Sequence, residues 1–592
     1  MHIGNLILIS PAIYLTVAAV VVLILGVIAA ANPKGKIEHY FSAHYLAPCL
    51  MVPALVLAGG VIYLALSMVG TTQTAAIGDR IVGLPAVGLF VTSGGAQLTV
   101  DPFAAILSFI AIAGTLIVML LSIDHFGEFQ THKAEYYALL MFATVAASLA
   151  AASSDLIAIY LAIEFLSLVS YVLAAYAKTD RRSGEAGLKY FLYGAACSAI
   201  MLYGMSILFG VTGGNTSFVG IAQHFSSTSP DLPFGAATSG AGWVGVMFIL
   251  VGLGFKLALV PFQFWAPDVY EGAPTPITAF LSIVSKAAGL AVLVRFLMVV
   301  ANPADSPASL SWYWILVVLC GLSMLWGNLV AIWQRNIKRM LAYSSIAQVG
   351  YMMVGVLAEM HIFTRANVDA AQDASVRANV VGMNSLPWGL QGVIVFMAAY
   401  LLMNLGAFAV VVAVGKRLGS DAIEGYAGLM KRAPFYAAAL TVFFASLAGI
   451  PPTAGFLGKF LVFGSAIKVG VLGHPELIVL VALGVANSVI SVYYYFNVVR
   501  LMFFIPPLPS PLPQGEGKGD GRFIQGSTAV NSAIVVTLVL TLGLIVFAKP
   551  VCDLASSAVY ARPSDGVSRI VGRAGTAERS DHQTITHHTR QK

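Results

Sequence analysis

Residues 252–265 read GLGFKLALVPFQFW, a run apolar enough to lie in a bilayer except that Lys256 sits inside it and Pro261 follows. A second stretch, SLAGIPPTAGFLGKF at 446–460, has the same ingredients in reverse, with Pro451 and Pro452 ahead of Lys459. A charged side chain at the bilayer centre costs about 2.5–3.5 kcal/mol on insertion scales, so such lysines mark an ion path by default. Proline removes a backbone donor and clashes with the preceding turn, so each stretch predicts a broken helix whose freed carbonyls must be satisfied by protein or water. Broken helices flank water-filled routes in transporters.

Composition places these breaks in a membrane. Of 592 residues, 58% are hydrophobic and only 10% charged, with a mean hydropathy of +0.86, which leaves too little polar surface to coat a soluble globule of this size. The expectation is an all-α polytopic membrane protein. Apolar stretches of spanning length fall at about 5–30, 43–69, 101–123, 136–152, 155–177, 187–211, 242–265 and 275–300, then at about 312–333, 338–358, 391–414, 434–470, 476–504 and 530–550, fourteen helices in all. No Lys or Arg precedes the first, and it is long enough to span, so it reads as a retained helix rather than a cleaved signal.

Several function classes drop out. The net charge of +6 comes from basic residues at the ends of apolar runs, without a basic arm interleaved with aromatics, so no nucleic-acid partner is expected. Cys49, Cys197, Cys320 and Cys552 are far apart and form no CxxC, which argues against an iron-sulfur or zinc site. The eleven histidines fall in predicted loops, helix ends or the tail, so no haem is expected inside the membrane. The chain is expected to bind no cofactor of its own, which leaves proton or cation movement as its chemistry.

Lys and Arg number sixteen in loops after odd-numbered helices and four after even-numbered ones. The positive-inside rule therefore makes the odd loops cytoplasmic and puts both termini outside. Helix 7 then runs inward and helix 12 outward, so a break after the lysine in one and before it in the other is what an inverted repeat predicts. The expected units are N-terminal helices 1–3 (1–123), a first five-helix repeat of helices 4–8 (136–300) and a second of helices 9–13 (312–504). A Pro/Gly-rich cytoplasmic linker (506–522), helix 14 (530–550) and a disordered polar tail (551–592) follow.

The intramembrane charges form one constellation. Glu164 lies mid-helix in IAIYLAIEFLSLVSYVL without a basic neighbour in sequence; it is either a structural carboxylate or the partner of Lys256. Lys256 is too deep to snorkel, so its lone charged form is costly, and a varying approach by Glu164 makes a coupled switch. Lys286, in AFLSIVSKAAGLAVLVRFL, is the natural next carrier, while Arg295 is expected to snorkel to the outer interface. Lys189 has Glu185 four residues before it, the spacing of a helical ion pair, so it divides evenly between structure and transport. Lys459, with no acid nearby in sequence, reads as the terminal carrier.

RRSGEAGLKYFLYGAACSAIMLYG (181–204), GLGFKLALVPFQFWAPDVYEGAPTP (252–276), NIKRMLAYSSIAQVGYMMVG (336–355) and the second break resemble the antiporter-like membrane subunits of complex I, over roughly residues 100–505. The break alone is shared with multisubunit sodium/proton antiporters; PDVYEGAPTP and lysine at 459 resemble the N-type branch of proton-pumping NADH:quinone oxidoreductase. That resemblance implies a bacterial plasma-membrane subunit beside an M-type antiporter-like subunit and small K- and J-type subunits. NADH, FMN, iron-sulfur clusters and quinone would belong to partner subunits. It also implies that Glu164, Lys256, Lys286 and Lys459, with Lys189, carry protons entering from the cytoplasm and leaving near Lys459. Gln263 and Gln348 stand where histidine is common in the superfamily, so water is expected to replace a titrating ring there. The alternatives are a sodium/proton antiporter subunit without redox chemistry and an inert scaffold.

Overall fold

The computed structural model describes residues 8–31, 43–68, 76–77, 80–81, 87–92, 95–125, 133–226, 240–300, 309–369, 389–471, 473–506 and 526–559. Fourteen of its helices are long and apolar enough to cross a membrane. The first seven are α1 (Ser10–Ala31), α2 (Ala43–Met68), α3 (Pro102–His125), α4 (Lys133–Ala152), α5 (Leu156–Ala174), α6 (Arg181–Val211) and α7 (Gly240–Leu257). Then come α8 (Thr275–Val299), α9 (Ser309–Ala331), α10 (Ile337–Asp369), α11 (Gly389–Leu418), α12 (Ala454–Val471), α13 (Pro475–Phe504) and α14 (Thr528–Val546). Two antiparallel hairpins, β1–β2 (Ala76–Ile77, Arg80–Ile81) and β3–β4 (Val87–Thr92, Gly95–Val100), lie in what reads as a loop between α2 and α3.

Helix starts follow capping chemistry. Asp155 accepts from the backbone N–H of Ile157 at 2.8 Å ahead of α5, and Asp180 accepts from that of Arg182 at 2.9 Å ahead of α6. The early cap lengthens α6 by six residues beyond its apolar run, so Lys189 lies on the third turn rather than the first.

Both expected breaks are present. α7 stops at Leu257, where Ala258 adopts φ 58°, and a short helix, Trp265–Gly272, resumes beyond it. A non-glycine residue in this region costs about 1–2 kcal/mol, and surrounding hydrogen bonds hold it: Val260 N–H donates to Ser323 Oγ at 3.0 Å and Trp265 Nε1 to the Phe255 carbonyl at 2.9 Å. The predicted helix at 434–470 is two pieces, Pro434–Ala448 and α12, because Gly449 takes the left-handed φ of 84° that ends the first. α8 has its own irregularity, a π-helical turn at Leu281–Ser285 that ends where Lys286 begins.

α8 is the centre of the bundle: every residue in its most apolar window is buried, and it packs on α3, α4, α7, α10 and α11. The outer faces of α1, α2, α5, α6, α13 and α14 expose Val, Leu, Ile and Phe, as lipid-facing helices do. Charged residues expected on one side of the membrane meet there. Lys189, Asp268 and Arg339 form one group, and Lys338 pairs with Asp421 at 3.1 Å. Asp101 and Arg295 pair at the opposite end.

The sequence reading needs correction at the C-terminus. A helix at Ala548–Val559 occupies the start of the expected disordered tail, because Val551, Cys552 and Ala555 pack on the core and the Cys552 carbonyl accepts from Gln391 at 2.9 Å. The Pro/Gly linker and the tail beyond Val559 lie outside the described residues, Pro506 excepted.

Candidate functional site

The two breaks and the π turn bring three lysines into the buried interior, with relative exposures of 1% for Lys256, 1% for Lys286 and 4% for Lys459. Among the described residues, no carboxylate is within ion-pair distance of any of the three. Lys256 Nζ donates to Ser167 Oγ at 3.0 Å. Lys286 Nζ donates to the Ser345 carbonyl at 2.9 Å and its hydroxyl at 2.8 Å. Lys459 Nζ reaches the Ala448 carbonyl at 2.9 Å, the Leu447 carbonyl at 3.3 Å and Ser488 Oγ at 3.1 Å, and sits 4.4 Å from the centre of the Tyr351 ring. The carbonyls freed by the Gly449 break thus find their donor in the lysine that follows it.

Glu164 is near Lys256 but not in contact with it. Its carboxylate accepts from Ser198 Oγ on α6 at 2.5 Å, while Lys256 uses Ser167, one turn along α5 from Glu164. The expected direct pair is not formed: each group ends on a different serine hydroxyl. Ser167 and Ser198 are the residues that sequence reading overlooked; a serine three residues after an intramembrane glutamate was the available signal.

Helix α10 connects the lysines. Ser344, Ser345, Gln348 and Tyr351 recur at helical spacing, so they share a face. Ser345 receives Lys286, and Gln348 Nε2 donates to the Leu447 carbonyl at 3.0 Å, the same carbonyl that Lys459 reaches. Ser344 shares a short hydrogen bond with Tyr495. Tyr351 accepts from Asn328 Nδ2 at 2.9 Å, and Asn328 Oδ1 accepts from Tyr494 at 3.1 Å. Among the described residues, Gln263 Oε1, Gln348 Oε1 and the Tyr270 and Tyr400 hydroxyls have no well-aligned protein partner. Buried polar atoms seldom go unsatisfied, so these positions suit ordered water.

Lys189 stands apart, with its side chain 39% exposed, 2.8 Å from both Glu185 and Asp268. The helical pair with Glu185 is as expected; Asp268, supplied by the segment after the α7 break, is an addition. Asp268 also receives Arg339 at 2.7 Å, and Arg339 reaches Glu271 at 3.0 Å. Partial burial raises the Asp268 carboxyl, but the hydrogen bonds from Lys189 and Arg339 outweigh it and hold the group below the usual carboxylate range.

Arg295 does not snorkel. It is 7% exposed and forms a two-pronged ion pair with the fully buried Asp101, at 3.0 Å on each oxygen. It also donates to the Ala151 carbonyl at 3.2 Å. The Arg295 approach to Oδ2 is within ion-pair distance though poorly aligned as a hydrogen bond. Asp101 doubles as the cap of α3, accepting from the Ala104 N–H at 2.7 Å, so an inward partner is nearer than water. Among the described residues no cluster of three His, Cys, Asp or Glu is placed to hold a metal.

Residues 153–371 and 379–491 match the transmembrane family of NADH:quinone oxidoreductase and Mrp antiporter subunits, and the chain belongs to that family. It is 40% identical to NAD(P)H-quinone oxidoreductase subunit 2 of Gloeobacter violaceus, over 79% of this chain and 82% of the relative. It is 35% identical to an NADH-quinone oxidoreductase subunit N of Chloroherpeton thalassium, over 89% of this chain and 97% of the relative. Among solved structures, a chain of respiratory complex I from Thermus thermophilus is 26% identical, with a TM-score of 0.63 over 91% of this chain and 99% of that one. A chain of the Mrp complex from Dietzia shares the fold, with a TM-score of 0.72 over 95% of this chain and 98% of that one, at 20% identity.

Proposed function

We propose that this chain is the proton-translocating N-type membrane subunit of an NADH:quinone oxidoreductase, in which Lys256, Lys286 and Lys459 relay protons along the membrane plane. One observation carries this reading: three buried lysines that, among the described residues, end on hydroxyls, carbonyls and an aromatic face rather than on a carboxylate. A buried lysine that ends on hydroxyls and carbonyls rather than on a carboxylate has no fixed counter-charge to hold it as ammonium, so it can alternate between ammonium and amine. Glu164 adjusts the first site through the Ser167 and Ser198 hydroxyls. Lys189, on the charged side with Asp268 and Arg339, is the entry residue. The row along α10 completes the connection to Lys459.

The relatives are named as quinone oxidoreductase subunits, which supports assembly with M-, K- and J-type membrane subunits. NADH, FMN, iron-sulfur clusters and quinone belong to partners in this reading. The excess of basic residues in alternate loops supports a bacterial plasma-membrane location with both termini outside. The two breaks, after Lys256 and before Lys459 in helices of opposite direction, support inverted repeats spanning α4–α8 and α9–α13, flanked by the remaining units described from the sequence.

The shared fold of the Mrp chain keeps a sodium/proton antiporter subunit as the second reading. Tagging the chain, extracting it in mild detergent and staining a native gel for NADH dehydrogenase separates the two. Activity migrating with the tag in a very large assembly supports the first; a smaller, redox-silent assembly supports the second.

A further inference from the structure

α10 carries one more charge, which the lysine row leaves unused. Glu359 is on the same helix as Ser345 and Tyr351, eight residues beyond the latter, and is completely buried. Its carboxylate accepts from the Leu390 N–H, at the start of α11, at 3.0 Å, and it interacts electrostatically with Lys468 on α12. Lys468 follows Lys459 by nine residues on that helix and is 9% exposed. Two elements packed against α10 therefore face Glu359 with an N–H and an ammonium.

Position gives the pair a side. Arg339, on the first turn of α10, belongs to the Lys189–Asp268 group, and twenty residues of helix separate it from Glu359. At 1.5 Å per residue that is about 30 Å, the thickness of the hydrocarbon core. Glu359 thus lies at the face opposite the proposed entry, past Lys459 in the same direction.

Between Lys459 and Glu359 the packing is close. A Cβ at Gly355 would stand 2.8 Å from Val393 Cγ2 and 2.9 Å from the Gly389 carbonyl, and one at Gly392 would stand 2.9 Å from the Val462 nitrogen. Three helices meet there in close contact at Gly355, Gly389, Gly392, Val393, Leu461 and Val462, between the level of the lysine and that of the glutamate.

We propose that Glu359, paired with Lys468, is the release station for protons leaving Lys459, and that the Gly355, Gly392, Val393 and Val462 contact is the gate between them. When the gate opens to water, a Lys459 N–H bond breaks with its electron pair returning to nitrogen. An O–H bond forms on a Glu359 carboxylate oxygen, and that proton then passes to outer-side water, restoring the carboxylate. The station rests on the proposed proton relay.

The test uses the whole complex in vesicles, with NADH and quinone supplied and assembly checked on native gels. Glu359→Gln keeps an acceptor for Leu390 N–H but cannot carry the proton as an acid; it is expected to lower pumping as far as Lys256→Ala does, with Glu359→Asp recovering at least half. Parental pumping by Glu359→Gln, or equal loss in Gln and Asp with failed assembly, overturns the station. Parental pumping by Lys256→Ala overturns the underlying relay instead. In the unsubstituted complex, a hydrophobic carbodiimide is expected to label the Glu359 peptide, since the reagent adds to a carboxyl that gains a proton inside the membrane. No adduct there overturns the station too.

Discussion

Replacing Asp101 with alanine isolates the energetics of the deepest ion pair in the chain. Asp101 is 0% exposed and Arg295 7%, so the substitution strands a guanidinium with the Ala151 carbonyl as its remaining described acceptor. Removing one partner of a buried pair costs about 3–5 kcal/mol, because the other charge stays desolvated. The same aspartate caps α3 through the Ala104 N–H, and loss of a cap adds about 1 kcal/mol. The total, about 4–6 kcal/mol, is comparable to the whole stability of many domains. The assay is the fraction of tagged chain remaining in the large assembly on native gels after heating through a series of temperatures. Asp101→Ala is expected to lower that midpoint sharply or prevent assembly. Asp101→Leu with Arg295→Met, which removes both charges and retains apolar volume, is expected to recover most of the loss. An Asp101→Ala variant as heat-resistant as the parent would refute the claim that Arg295 is a buried, paired charge rather than a snorkelling one.

Other consequences are as direct. Lys256→Ala is expected to assemble normally yet pump at a small fraction of the parental rate in vesicles, because alanine replaces the amine while Ser167 keeps other acceptors; the readout is quenching of a pH-sensitive dye. Asp268 has a folded value below its unfolded one, so its contribution is present above the unfolded value of about 3.9 and disappears as pH falls through the folded one. Asp268→Asn should therefore flatten the acid limb of the assembly's pH–stability curve without altering its shape at neutral pH. A Cβ at Gly389 would overlap the Gly355 carbonyl, so Gly389→Ala is expected to force α10 and α11 apart and lose about 1–3 kcal/mol, seen as a lower assembly midpoint.

The span count and both breaks were legible because hydrophobic runs and prolines are local signals: Pro261 after Lys256 and Pro451 ahead of Lys459 act on the turns beside them. The end of α7 at Leu257 was less legible, because the left-handed turn at Ala258 precedes the proline and depends on Ser323, on another helix, to hold the backbone. Long-range partners were the hidden part. Glu185 was visible as the companion of Lys189 at helical spacing, whereas Asp268, 79 residues away, needed the fold to bring it there. Arg295 was misplaced for the same reason: nothing near it in sequence announces Asp101, 194 residues earlier. Glu164 and Lys256 interact electrostatically in the fold, but each ends on its own serine hydroxyl, Ser198 and Ser167.

Lys459 occupies an unusual structural office. Its ammonium closes the open end of Pro434–Ala448 by taking the Leu447 and Ala448 carbonyls, the negative pole of that half-helix. Discharging it removes the counterion and one of its three N–H donors. Gln348 already shares the Leu447 carbonyl, so that acceptor keeps a donor even if the amine turns its two remaining N–H groups to Ala448 and Ser488. Proton occupancy at this residue therefore sets how many of its three acceptors, the Leu447 and Ala448 carbonyls and Ser488 Oγ, can be served at once: three by the ammonium, two by the amine.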